Sequence, residues 1–526
     1  MYIRTKKFKN KDGSTRTYLQ IVEGVRVGNK VRQKVICNLG RLEQLKEGEL
    51  DNLIEKLAQF SEKTWVQSQA KQFGAKWAKE WGTVIVFQRL WEQLGLSRIL
   101  KTLLESTQIT SSLEQAIFAM VVNRLCEPRS KRGVYRWLRG IYHPPFKGLS
   151  LHHLYRGLDF LADNKDAIEV RLFDSVKDLF NLKLDLFFWD TTSTYFEGSG
   201  PEDIAQYGFS KDKRPDRVQI IIGILMTKEG IPVAHQIFPG NTHDTTTFRA
   251  ALKDIRTKFN IDRVILVADR GMVSEDILRE IEKAGLKYIV GVPMRKAKAM
   301  KEVLSKRGRY RKVKDNLKVK EISTEKERYI ICLNPEQAQR DRHAREEIIE
   351  KIQNKLKTEG IKSFVANRGY RKYLKIDGAN ITADREALKE EEKYDGKYVL
   401  RTNTSLEAEQ IALAYKDLWK VERAFREMKS GLDLRPIYHW SDKRVRGHVM
   451  VCFLAFLMET IFRKKLAEAG YTGEYEYLID DLRQLKAVEI QLDGHKYLSR
   501  TELQGDSYTA FKALGIRPPE YIQKMP

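Results

Sequence analysis

The chain has 526 residues, enough for about three to four domains and for a large core built without disulfides or metals. Its 95 Lys and Arg against 71 Asp and Glu give a formal charge of +24, and 42% hydrophobic residues exclude a mostly disordered chain. Such an excess of cations predicts a polyanionic partner, because each Lys or Arg set against a phosphate releases condensed counterions. Nucleic acid is the first expectation and an anionic membrane surface the second. The longest apolar run, Val449 to Met458, falls short of the ~20 residues a spanning helix needs and reads as a buried helix. The first residues lack the apolar stretch of a secretory signal. Cys37, Cys126, Cys332 and Cys452 are far apart and read as buried thiols in a reducing, intracellular compartment.

Residues 15 to 40 alternate in the strand manner, with Val25, Val27, Val31 and Val35 around the turn pair Gly28-Asn29 and Arg26, Arg32 and Lys34 beside it. This is a basic N-terminal β-unit over 1–45, for which DNA contact and solvated charge are equally open. From 46 to 180 the spacing turns helical, as in Leu50, Leu53, Ile54, Leu57 and later Val86, Leu90 and Leu94, with a basic stretch from Arg124 to Arg139. An all-helical DNA-binding region fits, with a plain helical scaffold as the alternative.

Leu184 to Asp190 reads as a strand by its aromatic and aliphatic content, and Val218 to Met226 and Ile231 to Phe238 follow. Turn chemistry at Gly230 and short links make these three an antiparallel meander. A helix is predicted from Asp244, taken as N-cap, to Phe259, then a strand from Arg263 to Asp269, a helix from Ser274 and a strand from Lys287 to Val292. The order β-β-β-α-β-α-β, over 181–293, implies an α/β fold with a mixed sheet and helices on its faces. Between Arg295 and Lys320, twelve Lys or Arg meet only Glu302 and Asp315. With strand-like pieces at Arg328 to Cys332 and Tyr398 to Leu400 and a charged helix near Arg342 to Lys357, residues 294–402 read as a basic inserted domain; a solvated charge run is the alternative. A helix opening with a capping box, Thr404 to Glu407, runs through Lys429 in a segment 403–470, and 471–526 form a C-terminal extension.

Asp190 and Asp269 each close a predicted strand, so a sheet would present both at one edge. A carboxylate there must be solvated, paired or bound to a cation, and two converging ones repel unless a divalent ion lies between them. Each acid taken alone is more often a strand-end cap. On the third element, seven-residue spacing puts Tyr415, Glu422 and Lys429 on one stripe beside Leu418, Phe425 and Arg426. A Glu422–Arg426 surface pair is the plainer reading of that helix on its own.

Together these residues resemble a DDE transposase of prokaryotic insertion sequences. Asp190-Thr191-Thr192-Ser193 is similar to the family's first-aspartate strand, Val267-Ala268-Asp269-Arg270-Gly271-Met272 to its second, and Phe238-Pro239-Gly240-Asn241-Thr242-His243-Asp244 to the stretch between them. The Tyr-Arg-Glu-Lys signature falls on Tyr415, Leu418, Glu422 and Lys429, so Leu418 stands where the family has arginine; Lys416, Lys420 and Arg423 are its neighbouring cations. The resemblance implies a ribonuclease-H-like mixed sheet flanked by helices, interrupted by the insertion. It implies Asp190, Asp269 and Glu422 as catalytic residues and ligands of two Mg²⁺ ions, with Mn²⁺ as a substitute. Two cations ~3.5–4 Å apart activate a water and stabilise the leaving oxygen, and the freed 3′-hydroxyl then attacks target DNA. Tyr415 and Lys429 are implied as contacts to the transposon end, Arg423 and Arg426 as backbone contacts, and Trp419 as a stacking or core residue. Asn241 and Asp244 are read as loop-shaping. The implied partners are double-stranded DNA at the element ends and target and a second copy of the chain in a synaptic complex; the implied location is a prokaryotic cytoplasm, at the nucleoid, with no membrane. The alternative is a catalytically silent DNA-binding descendant. A phosphohydrolase with Asp190 as nucleophile is disfavoured because Thr192 stands where a second Asp is needed.

Overall fold

Strand alternation and turn chemistry near the N-terminus produce a three-stranded antiparallel sheet of Tyr2–Lys9, Thr15–Val27 and Lys30–Arg41. The computed structural model describes residues 1–28, 30–45, 49–58, 60, 73–105, 112–180, 185–259, 261, 264–295, 298–325, 327–358, 373–377, 380–492 and 495–525. Asn29, Leu184 and Arg263, named above, lie outside them. Gly28 takes the left-handed backbone, φ 61°, that a tight hairpin requires. Cys37 is exposed rather than buried, because this thin sheet has little to cover it. Residues 1–78, 487–500 and 520–526 form one compact unit. Within it Phe73–Glu80 joins a second sheet with Lys486–Leu492, His495–Arg500 and Ile522–Lys524. The Phe73–Glu80 strand interrupts the region expected to be all helical.

The larger unit, residues 79–486 and 501–519, is built on a nine-stranded sheet. Its strands are β1 Leu186–Tyr195, β2 Gln219–Thr227, β3 Pro232–Pro239, β4 Ile265–Ala268, β5 Lys287–Val292, β6 Arg311–Lys314, β7 Leu317–Ser323, β8 Arg328–Leu333 and β9 Lys397–Thr402, in the spatial order β6-β7-β8-β9-β5-β4-β1-β2-β3. β1, β2 and β3 form the antiparallel meander, and β4 and β5 run parallel to β1. The predicted β-β-β-α-β-α-β order is present. Two details differ. The link 196–218 between β1 and β2 is long, and Asp244 is the first residue of its helix, with His243 as N-cap. The segment 294–402 contributes β6 to β9 to the same sheet, through antiparallel pairing of β9 with β5.

Alternation along β1 sends Phe187 and Trp189 to one core cluster, with the helices Asp244–Thr257 and Glu275–Lys283, and Phe188 to the other, with the helices of 408–468. Trp189 lies over Gly223 of β2, where any Cβ would meet the indole at 2.3 Å. The apolar run noted in the sequence lies in the helix Asp442–Glu468, apolar on every side because it is a core helix, with 89% of its most apolar window buried. It crosses the helix Leu151–Asp163 at Gly447, whose Cβ position is 2.1 Å from the Leu158 carbonyl oxygen. Arg124 and Lys131, in the basic stretch noted above, are buried at 5% and 3% exposure, so neither is displayed to a partner.

Gly447→Ala must push these two helices apart. It is expected to cost about 1–3 kcal/mol, read as a lower midpoint in thermal unfolding; an unchanged midpoint would show that the close crossing is absent.

Candidate active site

Asp190 lies mid-strand and not at a strand end, because Thr191, Thr192, Thr194 and Tyr195 carry β1 onward through pairing with β2. Its even position puts it on the same face as Phe188, towards the Glu422 helix. β4 pairs with β1 in parallel register, Trp189 opposite Ala268, so Asp190 and Asp269 follow the last residues paired between these strands, Asp269 just past the end of β4. Asp269 shares the parity of Val267, which packs in the same core cluster as Phe188.

The third acid arrives on a broken helix. The expected single helix from Thr404 through Lys429 is three pieces: Ala408–Lys416, capped by Glu407 with Gln410; Trp419–Arg426; and a π-helical turn at Glu427–Gly431. Leu418 is buried at the break. Glu422, in the first turn of the second piece, lines a cavity of about 310 Å³ with Asp190, Asp269, Tyr415, Lys416, Leu418 and Trp419. It also lines a cavity of about 550 Å³ with Asp190, Asp269, Lys211, Lys213, Arg426, Lys429 and Arg435. The three acids are common to both walls.

Burial pushes the Asp190 carboxyl up to about 6; the nearby Asp269 and Glu422 carboxylates add to this, while Lys211 and the Thr191 N–H oppose it. The Thr191 N–H donates to Asp190 Oδ1 at 2.7 Å, and Lys211 Nζ stands 3.9 Å from the same oxygen. The Tyr415 hydroxyl donates to Asp269 Oδ1 at 2.8 Å. Burial first, and then the Asp269 carboxylate, raise the Tyr415 pKa and keep it the donor. Its ring stacks on Tyr398 at 5.7 Å. Among the described residues no group of three His, Cys, Asp or Glu is close enough to form a ready-made metal cage. The donor set itself, three carboxylates facing one space without thiol or imidazole, suits a hard divalent cation such as Mg²⁺.

The remaining sequence candidates divide. Trp419 is 46% exposed and lines the smaller acid cavity rather than the core. Arg426 lines the larger one. Arg423 faces a different cavity, about 240 Å³, with Glu427, Glu459 and Arg463. Lys429 is buried and pairs with Asp212 at 2.8 Å, an acid that Arg435 also binds; burial lowers the Lys429 pKa and Asp212 works against it. Lys420 is held by Asp417 and the Lys228 carbonyl, which leaves Lys416 as the cation near Leu418 that lines the acid cavity. Asp244 accepts from the Thr191 hydroxyl at 2.9 Å on the opposite side of β1. Sequence reasoning missed Lys211, Asp212, Lys213 and Arg435, all in irregular segments without periodicity.

The family model described as "Transposase DDE domain" matches residues 183–458, more than half of the chain. The chain belongs to the DDE transposases. The model described as "IS1634 family transposase, N-terminal domain" matches residues 3–70, which makes this a DDE transposase of an insertion sequence. No curated protein matches the chain.

In the transposase the Asp190 carboxyl titrates well above the ~3.9 of an unfolded chain. Folding therefore disfavours its ionised form: the penalty is absent below ~4, grows through the interval and is complete above about 6. Asp190→Asn is expected to raise the thermal midpoint of the metal-free protein at pH 8 more than at pH 5. Equal shifts at both pH values, or a fall at pH 8, would contradict the burial of this carboxyl.

Proposed function

We propose that the transposase binds the inverted-repeat ends of its element, cleaves them by metal-dependent hydrolysis and joins the 3′-hydroxyl ends to target DNA. The observation that carries this reading is the placement of Asp190, Asp269 and Glu422 on one cavity wall, from two neighbouring strands and a facing helix. In this proposal residues 181–293 and 403–470 are a ribonuclease-H-like core, 294–402 an insertion that extends its sheet, 1–45 and 46–180 regions that engage DNA, and 471–526 a C-terminal extension. The protein works as a homodimer on two ends in a prokaryotic cytoplasm, at the nucleoid.

Asp190, Asp269 and Glu422 would hold two Mg²⁺ ions, which when bound make a water nucleophilic and stabilise the leaving oxygen of an in-line displacement. Tyr415 orients Asp269 through its hydroxyl, a different role from the DNA contact implied by the signature. Lys211 and the Thr191 N–H hold Asp190. Trp419 and Arg426, exposed on the two cavity walls, are placed to meet a base and a backbone phosphate. Lys429 braces Asp212 and so the 196–218 link, while Arg423 serves the neighbouring cavity.

The N-terminal sheet supports DNA binding by itself. Beyond the Tyr2–Val22 pair only two strands continue, from Glu23–Lys34 to Val27–Lys30. On this exposed ribbon Lys30, Arg32 and Lys34 share one face at about 6.6–6.8 Å steps. A two-stranded ribbon fits the major groove of DNA.

The second reading, a catalytically silent DNA-binding descendant, draws on Leu418 at the signature arginine position. Metal-dependent nicking separates the two. Asp190→Asn, Asp269→Asn and Glu422→Gln should each slow Mg²⁺-dependent nicking of an element end by at least about a hundredfold while still binding it; undiminished nicking by all three would refute the catalytic reading. Replacing Lys30, Arg32 and Lys34 together by Gln should lower the slope of log affinity against log salt by roughly 2–3. An unchanged slope would assign that row to solvent.

A further inference from the structure

The link 196–218 is the part of the catalytic cavity that no sequence signature marks. It is held firmly. Gly208 approaches Gly240 so closely that a Cβ would lie 2.0 Å from its carbonyl oxygen, and the Gln219 side-chain amide donates to both the Phe209 and Gly240 carbonyls. The Lys211 N–H donates to Ser193 Oγ at 2.8 Å, and its ammonium donates to the Thr191 carbonyl at 2.6 Å. The next residues are sorted by partner. Asp212 is consumed by Lys429 and Arg435, and Arg214 and Arg217 by Asp216, with Glu197 also holding Arg217.

Lys213 is different. Its side chain is exposed on the wall of the cavity that holds the three acids, and it has no acidic partner among the described residues. Its backbone has φ 57°, a left-handed conformation uncommon for any residue but glycine, and one that concentrates at functional sites. Arg426, on the facing helix, lines the same cavity and likewise has no acidic partner among the described residues. Two unneutralised cations beside three carboxylates suit a substrate that brings its own negative charge. We propose that Lys213, with Arg426 opposite, binds a phosphate of the DNA strand being cut. The proposal rests on the transposase reading of the acid cavity. The link would act as a rigid clamp set by Gly208 and Lys211, with the Lys213 ammonium donating to non-bridging phosphate oxygens.

The test uses the full chain and a duplex from the end of its element. Binding is followed by fluorescence anisotropy in Ca²⁺ across ~50–200 mM salt, nicking in Mg²⁺, and folding by thermal midpoint. Lys213→Gly removes the ammonium and suits the left-handed backbone. It should keep or raise the midpoint, lower the salt slope by ~0.9 and slow nicking at least about tenfold. Lys213→Arg should retain the natural slope and most of the rate, and Lys213→Gln should repeat the loss seen with glycine. A glycine variant with the natural slope and rate would overturn the proposal while leaving the catalytic reading intact, provided Glu422→Gln remains inactive. If Glu422→Gln cuts normally the catalytic reading fails, and the salt slope still decides whether Lys213 holds a phosphate.

Discussion

The parallel register of β1 and β4 is the constraint from which the site follows. Pairing Trp189 with Ala268 brings the next two residues, both aspartates, side by side, Asp190 within β1 and Asp269 immediately past the end of β4. Burial raises the Asp190 carboxyl to about 6, and the nearby Asp269 and Glu422 carboxylates add a smaller push in the same direction. The neighbours that moderate the conflict are polar: the Thr191 N–H and Lys211 at Asp190, and the Tyr415 hydroxyl, from 146 positions away, at Asp269. A divalent cation between the acids, as proposed above, would relieve their repulsion more fully.

The surrounding architecture serves to keep that register fixed. Buried aromatic residues flank the aspartates on both faces of the sheet, Phe188 on one and Trp189 on the other, so a slip of one residue would turn Asp190 into an apolar core. The helix Asp442–Glu468 underlies the face that carries the acids, and the helix Trp419–Arg426 brings Glu422 to it. Strands β6 to β9 widen the sheet on the β5 side; Leu317 and Tyr398 within them, and Asn316 and Asn334 at their ends, line the smaller acid cavity. The basic segment expected as a separate insertion thus builds part of the wall of the transposase site.

Much of this was legible in the sequence. Apolar runs marked β1 to β5 because both faces of the sheet are covered, and the helix expected from Ser274 begins at Glu275, with Ser274 as the cap that accepts from the Ile277 N–H. Asp190, Asp269 and Glu422 were singled out from expected strand ends, helix spacing and family resemblance together, and the three line a common cavity. Other features were hidden for physical reasons. Asp190 looked terminal because a run of threonines reads as a turn as easily as a strand. The pairing of Lys429 with Asp212 joins residues 217 positions apart, beyond any periodicity. Lys211 and Lys213 lie in a link whose shape is set by a close backbone approach at Gly208 and not by pattern. Phe73–Glu80 has no clean period-two alternation, with its charges at Lys76, Lys79 and Glu80, and so did not stand out from the helical reading of its region.

The most direct test of the central claim is where divalent ions sit when the transposase holds an uncut DNA end. Anomalous diffraction from crystals of that complex grown with Mn²⁺ would locate them. Mn²⁺ is expected to be ligated by Asp190, Asp269 and Glu422 together, beside the phosphate to be cut. Manganese bound elsewhere, or an ion at the two aspartates with Glu422 turned away from it, would contradict that claim.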